Sequence, residues 1–263
     1  MNNFFTCIVK SNGEVSWKVE INSHDILVQH NGLSTVICEK DKLQFAYVNI
    51  SCDDIFEKDL KKWKLKFDDD EPKPTWWSKI HETKAYEALK IYLGNYILEG
   101  VTIEVLKDTY IMAARNVIIK DMYGNSRIKD MCGKSEVENM RDESTIENTR
   151  DHCVIETMRN CSRILNARDH SVIGDMWGDS SIYDMWDFSI VKYMWDDSIV
   201  YDVRGNCKVE NMREYSKIIN TWDNCIIENM ENNSKILSMR GNSKVISMYD
   251  NSDIKHKWGL QYN

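Results

Sequence analysis

The sequence predicts a mainly β protein: a parallel β-solenoid of nonapeptide repeats, two to each 18-residue coil, with a small β-rich N-terminal domain and one linking helix ahead of it. Three observations carry that prediction. A nine-residue unit recurs without insertion from Asn116 to residue 259, residues 1–75 alternate short apolar and polar bursts, and the stretch between them has helical spacing. With 263 residues, 42% of them apolar, the chain can bury a sizeable core, and a net charge of -8 argues against a general phosphate-binding surface.

The first 75 residues read as a β-rich domain. Phe4-Phe5-Thr6-Cys7-Ile8-Val9 and Ile26-Leu27-Val28 are apolar bursts, and Asn12-Gly13 and Asn31-Gly32 between bursts are hairpin-turn signals. Phe67-Asp68-Asp69-Asp70-Glu71-Pro72-Lys73-Pro74-Thr75 concentrates acid and both prolines of the chain, which predicts a linker. Residues 76–115 are assigned to a helix and a solenoid cap. From Trp76 to about Tyr96, Ile80, Tyr86, Leu89, Ile91, Tyr92 and Tyr96 recur at mostly helical intervals, with Gly94 near the end.

Residues 116–263 are the solenoid. In the fifteen repeats from Asn125 onward the second residue is always Ser or Cys and the fourth always Ile or Val, while the seventh is mostly Met and the ninth is Gly, Asp, Asn or Glu. Residues two apart on a strand point the same way, so the Ser/Cys and Ile/Val positions face inward, and Met after a bend fills the space between turns. The ninth residue suits a corner with positive φ. Every second seventh residue is Met from Met122 to Met248, whereas Thr149, Ala167, Val203, Thr221 and Lys257 all fall in the other set, so two repeats make one coil. Eight such coils at ~4.8 Å each give a rod of roughly 38 Å. The pattern does not fix its handedness.

Segments such as Met122-Tyr123-Gly124-Asn125-Ser126-Arg127-Ile128 and Met239-Arg240-Gly241-Asn242-Ser243-Lys244-Val245 resemble the Gly-Asn-Ala/Ser-x-Val repeats of largely uncharacterised β-solenoid proteins of phages and mobile elements of gut bacteria. The likeness covers the solenoid and implies a fold, not an activity. The inward Ser-x-Ile pair is also similar to that of pentapeptide-repeat proteins, some of which imitate DNA.

Three rows of residues are candidate sites. The fifth position of one set of repeats gives Leu165, Tyr183, Tyr201, Ile219 and Leu237, an apolar ladder facing out, which marks either a partner surface or a face covered by the helix or the β-rich domain. Val154, Val172, Ile190 and Ile226 make a weaker stripe on the opposite face. The eighth position alternates Arg with Trp177, Trp186 and Trp195, either as guanidinium-ring stacking or as anchors displayed for a partner. Asp175, Asp179, Asp184, Asp187, Asp196 and Asp197 crowd the same coils, either as a phosphate-like acidic patch or as solvated corners.

No catalytic residues, metal ligands or cofactor are predicted. His152 and His170 share a corner beside Asp151 and Asp169, but no third ligand repeats. Cys153, Cys207 and Cys225 stand where Ser otherwise does and read as its substitutes. Eight cysteines without a CxxC pair, and no apolar run near the ~20 residues of a membrane helix, predict a cytoplasmic protein with no membrane contact, in the host cell if phage-encoded. The expected function is non-enzymatic: binding and blocking or sequestering a host macromolecule, as a defence inhibitor or acidic nucleic-acid mimic. The expected partner is a host protein, with a homodimer or higher homo-oligomer and no direct nucleic acid. The alternative is a virion structural protein or glycan-binding adhesin.

Overall fold

A computed structural model describes residues 3–19, 21, 23–30, 45–68 and 72–258. The chain divides into two compact units, Met1–Ile97 and Leu98–Asn263. No helix among the described residues is long and apolar enough to cross a membrane.

The first unit is a four-stranded antiparallel sheet of order β2-β1-β3-β4, with β1 at Asn3–Lys10, β2 at Val15–Ser16, β3 at Phe45–Cys52 and β4 at Lys64–Phe67. The Asn12-Gly13 signal becomes the β1–β2 turn: Gly13 has φ 83°, and the Glu14 amide donates to the Asn12 carboxamide at 3.0 Å. Asn31-Gly32 lies outside the described residues. Ile26-Leu27-Val28, read as a strand burst, instead lies in a short helix, α1 (His24–His30), where Leu27 and Val28 pack on Ile8. Three apolar residues in a row cannot distinguish strand from buried helix.

A longer helix, α2 (Lys79–Tyr96), starts from Ser78. The His81 ring accepts the Ser78 amide at Nδ1 (3.0 Å), so its Nε2 donates to the Ser11 carbonyl at 3.1 Å and fixes the helix N-terminus to the first hairpin. Tyr92 meets Phe5 with ring centroids 5.2 Å apart. With Leu27 and Val28 in contact with Ile8 and α2 against Phe5, β1 is covered on both faces, hence its unbroken apolar run. The linking helix therefore belongs to the first unit. Its buried face is His81, Ala85, Ala88, Leu89 and Tyr92, while Ile80 (68%) and Ile91 (54%) stand exposed.

The second unit is a parallel β-solenoid of about nine turns with 18-residue coils. One sheet has ten strands, running from Ile97–Glu99 to Asp253–Trp258, and will be called the first sheet; the second has nine, from Thr102–Lys107 to Lys244–Met248. Met122, Met140, Met158, Met176, Met194, Met212, Met230 and Met248 stand in one unbroken column of register partners, 18 residues apart. The solenoid strands begin ahead of Asn116, so residues 98–115 supply one more coil than the eight expected. That coil is shorter: Leu106 pairs with Met122 and Ile111 with Ile128, offsets of 16 and 17 that the nonapeptide alignment passes over.

In the repeats up to Met239 the second, fourth and seventh side chains are buried, and both the fifth and sixth face outward between them. Strict alternation would bury the sixth, so the strand bends there. Every ninth residue from Gly124 to Asp250 has positive φ, including Asp142, Asp151, Asn160, Asp169 and Glu214. The aspartates at these corners also join coil to coil. Asp151 accepts the Gly133 amide at 2.8 Å, and Asp169 accepts the Asp151 amide at 2.9 Å.

Candidate protein-docking face

The fifth-position ladder lies on the outer face of the first sheet. Ile164, Ile182, Val200, Ile218 and Ile236 are successive register partners, which places the next residue of each strand (Leu165, Tyr183, Tyr201, Ile219 and Leu237) one per rung along one line. The Tyr183 and Tyr201 rings stack with centroids 4.8 Å apart and planes 16° apart, and remain 42% and 36% exposed. Leu165, Ile219 and Leu237 are half-buried. The outcome is an apolar line with a phenolic hydroxyl on its second and third rungs. Main-chain pairing on both sides holds these strands, so little freedom remains to be lost on contact with a partner.

The three tryptophans do not form one cluster. Trp177 and Trp195 stack on the edge after the second-sheet strands, 4.8 Å apart and 5° from parallel, with the Arg213 guanidinium 4.8 Å from the Trp195 ring. Trp186 belongs to the other edge, where Arg204 lies 4.7 Å from its ring and 5.9 Å from Trp222, and Arg240 caps Trp222 at 4.4 Å. All three are half-buried, and each has at least one ring face against a neighbouring ring or guanidinium group. Of the two readings of this row, the geometry realises the stacking one; the outward ring edges remain for a partner.

The six aspartates are likewise dispersed. Asp175 and Asp184 are sixth residues on opposite sheets, and Asp184 lies 3.7 Å from Arg204. Asp187 and Asp196 are corner residues with φ 65° and 53°, and their carboxylates accept the amides of Asp169 at 3.3 Å and Gly178 at 2.9 Å. Asp179 and Asp197 begin repeats at the same corner as Asp196, and Asp197 meets Lys217 at 3.3 Å. Glu214, which sequence inspection passed over, joins that corner one coil on: a carboxyl–carboxyl hydrogen bond with Asp196 holds its pKa above the usual range. Its ninth-position spacing from Asp196 was the available signal.

His152 and His170 lie 5.1 Å apart with their rings tilted by 35°, and Phe188 stacks on His170 at 5.3 Å, a neighbour the sequence did not reveal. Among the described residues no group of three or more His, Cys, Asp or Glu side chains could hold a metal ion. Burial pushes the thiols of Cys153 and Cys207 up to about 12 and that of Cys225 to about 11, so at neutral pH they are protonated core groups rather than nucleophiles. Comparison with protein-family models, with curated proteins and with solved structures returns no match.

Proposed function

We propose that this chain is a non-enzymatic interaction protein that docks a host protein on the outer face of the first sheet and thereby blocks or sequesters it. The observation that carries this reading is the exposed Tyr183–Tyr201 stack inside the five-rung apolar ladder. Tyrosine combines a large apolar area with a polar tip and few rotatable bonds, which suits it to anchoring contacts. A phosphate-row mimic requires a continuous line of carboxylates, whereas those here divide between two sheets and two corners, and two of them hold backbone amides. A sugar-binding row requires free ring faces, and Trp177 and Trp195 each turn one face to the other, with the Arg213 guanidinium also against Trp195. Both facts favour the apolar ladder as the contact.

Capture of partners from bacterial host lysate on immobilised wild-type chain and on a Tyr183→Asp, Tyr201→Asp variant tests this. The expected partner withstands ~0.5 M salt, because contacts through apolar area are little screened. It should be lost from the variant, since an anchoring Tyr is worth about 2 kcal/mol or more, some 30-fold in affinity. Capture that persists on the variant refutes the reading, and capture that vanishes with salt transfers it to the charged rows. Light scattering of the same two proteins shows whether a second copy of the chain is the partner on this face.

A further inference from the structure

The first unit carries a groove independent of the solenoid. It has a volume of about 550 Å³ and runs between α2 and the 3-10 turn Leu60–Lys62. Its helix wall is Lys79, Glu82, Thr83, Tyr86, Glu87 and Lys90, spaced i, i+3, i+4, i+7, i+8 and i+11, which is one continuous face of α2. None of these residues belongs to the buried set through which α2 packs.

The groove's polar groups are mostly satisfied within the unit. The Tyr86 hydroxyl donates to the Trp63 carbonyl at 2.8 Å and the Thr83 hydroxyl to the Lys79 carbonyl at 2.9 Å, leaving the Tyr86 ring and Leu60 as an apolar floor. Glu82 is neutralised by Lys79 at 3.0 Å and Glu87 by Lys84 at 2.9 Å. Among the described residues, Lys61 and Lys90 have no ion-pair partner, so the groove's uncompensated charge is positive in a chain that is acidic overall. The eleven helical steps from Lys79 to Lys90 span about 16 Å at 1.5 Å per residue. An extended peptide covers that length in about five residues at ~3.3 Å each, a better match than a compact small molecule.

We propose that this groove binds a short acidic peptide segment in extended form, with an aromatic or aliphatic side chain on the Tyr86 ring and flanking carboxylates drawn to Lys61 and Lys90. Fluorescence anisotropy of a fluorescein-labelled Asp-Glu-Phe-Glu-Asp peptide with the full chain at low salt tests it. Saturable binding is expected, with at least a tenfold loss in a Lys61→Glu, Lys90→Glu variant, a similar loss when Gly replaces the peptide's Phe, and no binding of Lys-Lys-Phe-Lys-Lys. Both lysines are exposed, so the variant keeps its fold, which circular dichroism verifies. Absence of saturation, equal affinity for the lysine variant, or tighter binding of a five-nucleotide thymidine strand overturns the proposal. The Tyr183→Asp, Tyr201→Asp variant should bind the peptide unchanged, so failure here leaves the solenoid reading untouched.

Discussion

The second residue of each repeat shows how one side chain type serves two environments. Ser135, Ser171 and Ser189 donate their hydroxyls to the carbonyl three residues back at 2.7, 2.7 and 2.9 Å. On the other flank of the core Ser126 and Ser144 make the same bond at 2.7 Å, but Ser162, Ser180, Ser198, Ser216 and Ser234 are equally buried and their hydroxyls lack a partner. A made hydrogen bond is worth about 1 kcal/mol net, while an unmade buried one costs about 1–3 kcal/mol. Ser189→Ala should therefore lower the free energy of unfolding in urea by about 1 kcal/mol, and Ser198→Ala should leave it unchanged or raise it. Equal losses from both would show that packing alone selects serine there. Glu214 supplies the pH-dependent counterpart. Its pKa in the folded chain lies above the unfolded value because of Asp196, so the folded state keeps a proton that the unfolded state releases, and stability falls as pH rises through that interval. Glu214→Gln should accordingly raise the melting temperature at pH 7, with the gain disappearing below the unfolded carboxyl range near ~4.3. A gain that persists at pH 3 would assign it to something other than the carboxyl pair.

At the scale of the element, the corners and α2 make opposite demands on glycine. Gly241 has φ 66°, and a Cβ there would come within 2.7 Å of the Asp223 amide nitrogen one coil back, whereas a Cβ on Gly94 in α2 would meet open space. Gly241→Ala should destabilise the solenoid by about 1–3 kcal/mol, and Gly94→Ala should stabilise the first unit by about 0.5–1 kcal/mol, both read from thermal unfolding. The same contrast explains what could be read in advance. A ninth residue limited to Gly, Asp, Asn and Glu announces a left-handed corner, because few other residues tolerate one, and the 18-residue Met column announces parallel stacking. The inner face of α2 was not legible, because it packs through Ala85 and Ala88 while Ile80 and Ile91 face out. Ile103 and Leu106 already keep the three-residue spacing of the fourth and seventh positions, yet the offsets of 16 and 17 break the period and hide the first coil. The Tyr ladder was visible as a row; the dispersal of the six aspartates was not, since successive repeats fall on opposite sheets and their carboxylates divide between sixth positions and corners.

For the solenoid as a whole, the unresolved tension is at its C-terminal end. Each Met of the central column is fully buried through Met230, but Met248 is 42% exposed, and Val245 and Ile254 are only half-buried against the core. The strands Lys244–Met248 and Asp253–Trp258 are terminal in their sheets, so among the described residues the last rungs leave their outer main-chain edges unpaired beside an open core. Such an end is a template for another copy. The seventh position of the last repeat is where the repeat departs most from its rule: Lys257 is the register partner of Met239, an ammonium on the rung where a core side chain belongs. Stacking a second solenoid on this end would enclose that charge, and an unpaired buried ion costs several kcal/mol, so Lys257 opposes end-to-end growth. Lys257→Met restores the repeat and removes the penalty. In the Tyr183→Asp, Tyr201→Asp background, chosen to remove the proposed side-face contact, its light-scattering mass should rise with concentration above that of the Lys257 protein, and Lys257→Glu should not. If the Met variant keeps the same mass at every loading, the bare sheet edges are insufficient to recruit a second copy, and the end is closed by something other than this one charge.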